Sequence, residues 1–408
     1  MSLKILLTAY CVSPLRGSEP GTAWRTAVAL VEDGNEVVLL TSAQLAKEVE
    51  NVSIPPNLRI LRIDASPPHV LNRGRVGTYL RYWLWMRSAS RAVDELLGKE
   101  HFDVAHHISW GSLPWGAPID GQKIPMVFGP IGGGQKIPTE FLGEFGLRER
   151  LVQHGRAVAI GLSALNPKAR AAARGSTVSL ATNSASERLL RSAGSSHVVP
   201  FLADVTPPSL LDRETIVFEQ RQDIVLWVGR LLPLKAPGLA IRVLALLPEE
   251  VRLVYVGDGP EVEATRSLAG ALGVEERVSF LGHLPWDQLS AQFDLAKVLL
   301  FTSLRDSSGP QLLEAGARGL PIVAIGHHGA GEWVPAAAGN LVDPTTVSDT
   351  VTGLAEGILA LLGDPTQWTE ASVQARHFAQ SHSAECHAKL LTEIYKDIAG
   401  SNAATGNL

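Results

Sequence analysis

Only two cysteines, Cys11 and Cys386, occur in 408 residues, near opposite ends of the chain. That scarcity excludes a disulfide framework and a cysteine-built zinc site. A run of about 18 apolar residues, the length a membrane-spanning helix needs, is also missing. The formal charge is only −5 and of the wrong sign for nucleic acid as main partner. Several chemical signatures are absent too: the Walker-type phosphate loop, His-Glu-x-x-His, Gly-x-Ser-x-Gly and Asp-x-Asp. The opening MSLKILLTAYCVSP has one lysine and a short apolar run without a small-residue cleavage site. It reads as a first buried strand rather than a signal peptide, and the cytoplasm is the expected compartment.

What is present is ordinary soluble composition, 45% hydrophobic and 19% charged, in a chain too long for one core. Two domains of roughly 200 residues are therefore expected. Short apolar runs alternate with helical patterns. Strands are predicted at 4–9, 36–40, 58–63, 104–107, 126–128, 178–181 and 197–199, with a helix at 22–32. The segment DVTPPSLLDRETIVFEQRQD, 204–223, is rich in proline and charge and breaks the rhythm. Strands resume at 224–228, 253–256, 278–281, 298–301 and 322–325. Such alternation implies parallel sheets covered on both faces. Two runs around one break predict two doubly wound α/β domains facing each other. The small, polar tail AGSNAATGNL is predicted to be disordered.

Ligands of open α/β sheets bind beyond the carboxyl ends of the strands, so the loops after strands carry the search. In WVGRLLPLKAP, Arg230 and Lys235 leave a strand end on one short turn. Two cations held there suit a diphosphate, each charge-assisted bond contributing about 1.5–3 kcal/mol. The bland alternative is a pair of solvated charges. In VGDGP, Gly257 and Gly259 let backbone approach a ligand or simply make a tight turn; Val262 stands where a dinucleotide fingerprint has its third glycine. In FLGHL, Gly282 is placed to expose main chain to a base. In SLRDSSGPQLLEAGARGLP, Ser308 and Gly309 cap a helix, Pro310 suits its first turn, and Gly319 with Pro321 ends it. Free N–H groups and the helix dipole at that start favour phosphate. Asp306 before the helix and Glu314 inside it are placed to accept hydrogen bonds from vicinal hydroxyls on either side of a pyrophosphate. A nucleotide sugar has that layout. A helix-start charge and a surface salt bridge would explain the same two acids.

The acid pair Asp306 and Glu314, the loop GRLLPLK from Gly229 and the turn GDGP from Gly257 together resemble the retaining glycosyltransferases of family four, glycosyl transferases group 1, with the GT-B fold. KILLTAY, GSEPG (Gly17 and Glu19 within it), FDVAHH and the closing HFAQS and LTEIY resemble the family's remaining landmarks. The resemblance implies an N-terminal acceptor-side domain over 1–205, a nucleotide-sugar domain over 206–385, a helix over 386–400 returning to the first domain, and a disordered tail over 401–408. It implies that Arg230 and Lys235 neutralise the donor diphosphate and that Glu314 holds the ribose. Asp306 would contact the transferred sugar, beside main chain of Ser307, Ser308, Gly309 and Gln311. Gly17 would close over the phosphate, with Glu19 nearby, and His107 or His106 would sit by the reacting sugar. No metal or cofactor is implied, since Arg, Lys and a helix end supply the electrostatic stabilisation. Three positions depart from the usual pattern. Asp306 replaces a glutamate, Gly-Ser-Glu-Pro-Gly replaces a plain Gly-Gly, and Lys235-Ala236 replaces Lys-Gly.

The acceptor side is thinner. FGPIGGGQKIP, with Gly132 and Gly133, follows a strand and either lines a cleft or makes a flexible turn. RGRVGTYLRYWLWMRSASR, 73–91, mixes five arginines with Tyr79, Tyr82, Trp83 and Trp85. One reading rests this segment on an anionic membrane or a lipid-linked acceptor; the other packs its aromatics inward and lets its arginines snorkel. Rival functions are a nucleotide-sugar epimerase, a sugar phosphorylase and a non-catalytic sugar-nucleotide-binding module. Each shares the phosphate grip. The expected partners are a nucleotide sugar and a hydroxyl acceptor, with no nucleic acid.

Overall fold

A computed structural model describes residues 2–15, 18–65, 74–206 and 208–405. The chain divides into two compact units. The first comprises Met1–Gly134, Val158–Val205 and Ala384–Leu408, and the second Gln135–Ala157 and Thr206–Ser383. The division is therefore not linear: Gln135–Ala157 leaves the expected 1–205 domain and counts with the second unit. Its Phe141 and Phe145 explain why, being buried in that unit's core.

Among the described residues the first unit has seven strands: β1 (Lys4–Thr8), β2 (Glu36–Ser42), β3 (Leu58–Ile63), β4 (Val104–His107), β5 (Met126–Ile131), β6 (Val178–Ala181) and β7 (Val198–Pro200). They lie in the order β3-β2-β1-β4-β5-β6-β7. Every pairing is parallel. Alternate residues feed two cores. Leu6, Val38 and Leu40 pack with Tyr82, Trp85 and Met86 of helix Gly74–Lys99. Ile5, Leu7, Val37 and Leu39 pack with Leu391, Tyr395 and Ile398 of helix Ala384–Thr405. Because both faces are covered, strands β1, β2 and β5 carry near-continuous apolar runs.

The second unit has six: β8 (Gln222–Val228), β9 (Arg252–Val256), β10 (Val278–Phe280), β11 (Ala296–Phe301), β12 (Ile322–Ile325) and β13 (Gly339–Val342). Their order is β10-β9-β8-β11-β12-β13, again parallel. β13 escapes the sequence reading because it is a short edge strand, only partly buried, that opens on a glycine. In each sheet the chain reverses direction across its first strand, between β1 and β4 and between β8 and β11. These are the switch points where such sheets hold ligands. The C-terminal helix corrects the tail: it continues through Thr405, into the stretch expected to be disordered. Residues 406–408 lie outside the described residues.

Candidate functional site

The loops after β8, β9 and β10 are stitched together by backbone. The Gly229 N–H donates to the Val256 carbonyl at 2.9 Å, and the Gly257 N–H to the Gly282 carbonyl at 2.7 Å. Gly257 has φ +129, and a Cβ there would stand 1.9 Å from the Gly229 carbonyl oxygen. Only glycine fits such an approach. The turn GDGP thus supports the basic loop.

That basic loop rises from β8 and tightens into a single turn, Pro233–Lys235. Arg230 is exposed, and its guanidinium makes no hydrogen bond or ion pair among the described residues. The Lys235 ammonium pairs with the Asp306 carboxylate and lies 5.6 Å from the centre of the Phe301 ring. The Thr302 hydroxyl sits by the Lys235 and Ala236 carbonyls at 2.8 and 3.1 Å and accepts the Trp227 indole N–H at 2.9 Å. Ala236 is next, in the left-handed region at φ +46. A Cβ is strained there by roughly 1–2 kcal/mol, which accounts physically for the glycine usual at this position.

After β11 the chain runs through Asp306 to helix Pro310–Ala317. Its N-cap is Gly309, at φ +91, with no side-chain capping bond. Of the two expected cap residues, Gly309 takes the cap position, which sets the first amides of the helix directly after the loop that carries Asp306. They are suited to an anion. Ser308 is buried and Ser307 and Glu314 are half-buried. Gln311 reaches back, its amide N–H donating to the Val228 carbonyl at 3.3 Å. Switch-point strands β8 and β11 thus bring Arg230, Lys235, Asp306 and the Gln311 helix start to one strand-end face.

The loop after β12 belongs to the same region, and the sequence reading passed over it. A Cβ on Gly329 would come 2.9 Å from the Ser308 carbonyl oxygen, and the Gly329 N–H donates to the Asp306 carbonyl at 3.4 Å. The His327 and His328 ring centres are 3.8 Å apart, and each ring directs Nε2 to the Lys136 carbonyl, at 2.9 and 3.1 Å. Burial lowers the His327 pKa. The available signal was positional: HHGAGE comes immediately after a strand. Ser303 is missed as well; its hydroxyl is buried and has no partner among the described residues.

In the first unit, Thr8 of β1 lies opposite His107 of β4. The His107 Nδ1 meets the Thr8 hydroxyl at 2.8 Å, while its Nε2 is buried without a partner among the described residues. The ring is 1% exposed, between Trp85 and Phe128. His106 points to the other face, with Nδ1 2.6 Å from the Tyr395 hydroxyl and Nε2 2.8 Å from the Gly129 carbonyl. Desolvation lowers His106 to about 4 and His107 to about 3. Both rings are buried, and desolvation favours their neutral form. Glu19 accepts the backbone N–H of Trp110, a residue at φ +58. Gly132 donates to the Gly111 carbonyl at 2.7 Å, and Gly133 is left-handed at φ +87. Gly17 lies outside the described residues. Of the 73–91 segment, Tyr82 and Trp85 are buried, Tyr79 is half exposed, and Arg73 lies outside the described residues.

Two parallel sheets, each switching at its first strand, with a basic turn and a glycine-capped helix start in the second, define the class: a GT-B-type α/β protein. Solved structures agree on the fold. Sucrose-phosphate synthase from Thermosynechococcus elongatus has TM-score 0.66 at 18% identity, over 98% of this chain and 100% of that one. HepE of Anabaena, solved with UDP and glucose, has TM-score 0.59 at 19% identity, over 97% and 100%. The family model for glycosyl transferases group 1 matches residues 210–378. A D-inositol 3-phosphate glycosyltransferase of Rhodococcus opacus is 31% identical over 196 residues, 45% of this chain and 43% of that protein. The chain thus aligns with less than half of that relative. One of the same description from Mycolicibacterium vanbaalenii is 25% identical over 94% of this chain and 88% of its own length.

Proposed function

We propose that this chain is a retaining glycosyltransferase that moves a sugar from a nucleoside diphosphate, UDP or GDP, to a hydroxyl acceptor. The observation that carries the reading is the second unit's strand-end face. There Arg230, which makes no ion pair among the described residues, the Lys235 ammonium and the glycine-capped start of helix Pro310–Ala317 converge. As the bond between sugar and diphosphate breaks, negative charge gathers on the departing diphosphate. Arg230, Lys235 and the helix amides stabilise that charge, which lowers the barrier without a metal ion. Lys235 exchanges its Asp306 partner for phosphate on donor binding, releasing the Asp306 carboxylate to accept sugar hydroxyls. Glu314 takes the ribose. The acceptor oxygen bonds to the anomeric carbon from the face the diphosphate leaves, and its proton passes to a donor phosphate oxygen.

Relatives support this chemistry by their descriptions. HepE was solved with UDP, and a Mycolicibacterium smegmatis relative is a GDP-mannose-dependent mannosyltransferase acting on a phosphatidylinositol monomannoside. A glycolipid, polysaccharide or small-metabolite acceptor, and a cytoplasmic setting, belong to the same proposal.

The test measures nucleoside diphosphate release from a donor panel, with and without acceptors and with chelator present. Acceptor-dependent release that survives the chelator is expected. It should fall about 10²–10³-fold in Lys235→Ala, the scale of losing one preorganised electrostatic contact, and strongly in Glu314→Ala. Unchanged rates in both variants overturn the site assignment; conversion of donor without release identifies an epimerase instead. Asp306→Glu is expected to shift preference among donor sugars.

A further inference from the structure

The first unit carries an apolar surface that the donor site does not use. The last turns of helix Leu147–Ser163 and the corner after it present Val158, Leu162 and Leu165 at 62%, 58% and 65% exposure. The corner is firmly built. The Leu165 N–H donates to the Leu162 carbonyl at 2.9 Å and the Asn166 N–H to the Ser163 carbonyl at 3.0 Å. The Asn166 side chain then caps helix Pro167–Gly175 by accepting the Lys168 N–H at 2.9 Å. That helix buries Ala169, Ala172 and Ala173, which leaves Lys168 outward. The Lys168 ammonium lies 5.9 Å from the centre of the Trp83 ring, and the Arg87 guanidinium 4.8 Å from the same ring. Trp83 therefore joins the basic face of helix Gly74–Lys99 to the leucine corner.

Charge tracks the same seam. Residues 77–93 hold Arg81, Arg87 and Arg91, and 158–175 hold Lys168, Arg170 and Arg174, with no acid in either stretch, in a chain of net charge −5. We propose that this surface docks on an anionic lipid bilayer, with Leu162 and Leu165 at the acyl boundary. Trp83 lies at headgroup level, and Lys168 and Arg87 meet lipid phosphates. An indole between two cations beside exposed aliphatic side chains has the chemistry of a membrane interface. Polyanions such as nucleic acid match the cations but leave the leucines in water. Tyr82 and Trp85 pack inward, so the aliphatic contact comes from a segment outside the aromatic helix noted in the sequence.

The experiment floats the full chain with vesicles of phosphatidylcholine, with and without phosphatidylglycerol. Binding to the anionic vesicles is expected, weakening as salt rises. The double variant Leu162→Ser/Leu165→Ser and the single Lys168→Glu should each lose about tenfold or more in vesicle affinity, with unfolding midpoints near wild type because all three side chains are exposed. Brominated lipid should quench a part of the tryptophan emission that Trp83→Phe removes. Failure to float with anionic vesicles overturns the proposal, as does equal binding by all variants. So does a dimer in sedimentation that the leucine substitutions dissociate, which would give the surface to a second copy. Vesicle binding is read without donor or acceptor, so its failure leaves the transferase reading in place, and the reverse also holds.

Discussion

Both units reverse strand order across their first strand, yet they equip that switch point differently. The first fills it with rings: His107 on Thr8, beside Trp85 and Phe128, with both its histidines desolvated and neutral. The second fills it with charge, setting Arg230 in solvent and Lys235 against Asp306. One backbone plan thus yields a packed aromatic end and an anion-ready end. The contrast lies in the strand ends and their loops, since the strands themselves are equally apolar in both sheets.

The comparison breaks hardest at Gly257. Gly257→Ala drives a Cβ into the Gly229 carbonyl oxygen, 1.9 Å away, and is expected to destabilise by more than about 4 kcal/mol. In a calorimetric scan the second unit's transition should collapse while the first unit's stays near its wild-type position. The next largest effect belongs to the first unit and to acid. A histidine held neutral by burial binds its proton less well folded than unfolded. The unfolded chain therefore takes up more protons below about 6.5, and stability falls as pH drops from there toward about 4 for His106 and about 3 for His107. The loss should reach roughly 3 kcal/mol or more by pH 4. Denaturant titrations from pH 7 to 4 check it, and His107→Phe should flatten the acid limb.

Arg230→Ala is expected to raise donor KM about tenfold to a hundredfold by removing one charge-assisted contact, with stability unchanged because the side chain is exposed. Steady-state kinetics decide. Ala236→Gly should stabilise the second unit by about 1 kcal/mol, since φ +46 strains alanine. A rise in that unit's midpoint alone would confirm it. Smallest is Thr392→Val, which removes the hydroxyl facing the Asn35 amide at 3.1 Å. About 1 kcal/mol should be lost from the first unit only.

Much of the architecture was legible beforehand, because strands buried on both faces are written as uninterrupted apolar runs. Strands 58–63, 104–107, 178–181 and 322–325 were located to the residue. β13 was missed because an edge strand need not be apolar throughout. In the second unit, cations, acids and glycines close together in sequence pointed to the strand-end face where Arg230, Lys235 and Asp306 meet. Assigning the histidines was harder: FDVAHH records that a strand ends in two imidazoles, while their burial depends on Trp85, Phe128 and Tyr395, distant in the chain.

By itself, then, the sequence determined two parallel α/β layers and the chemistry offered at the second one's strand ends, since hydrophobic period and local spacing are properties of neighbours in the chain. Tertiary structure alone decided that Gly257 serves the backbone of the next loop, that Lys235 rests on Asp306, that both histidines are core, and that Gln135–Ala157 packs with the second unit. Those outcomes depend on desolvation and close approach between residues far apart in the chain, which only packing can set.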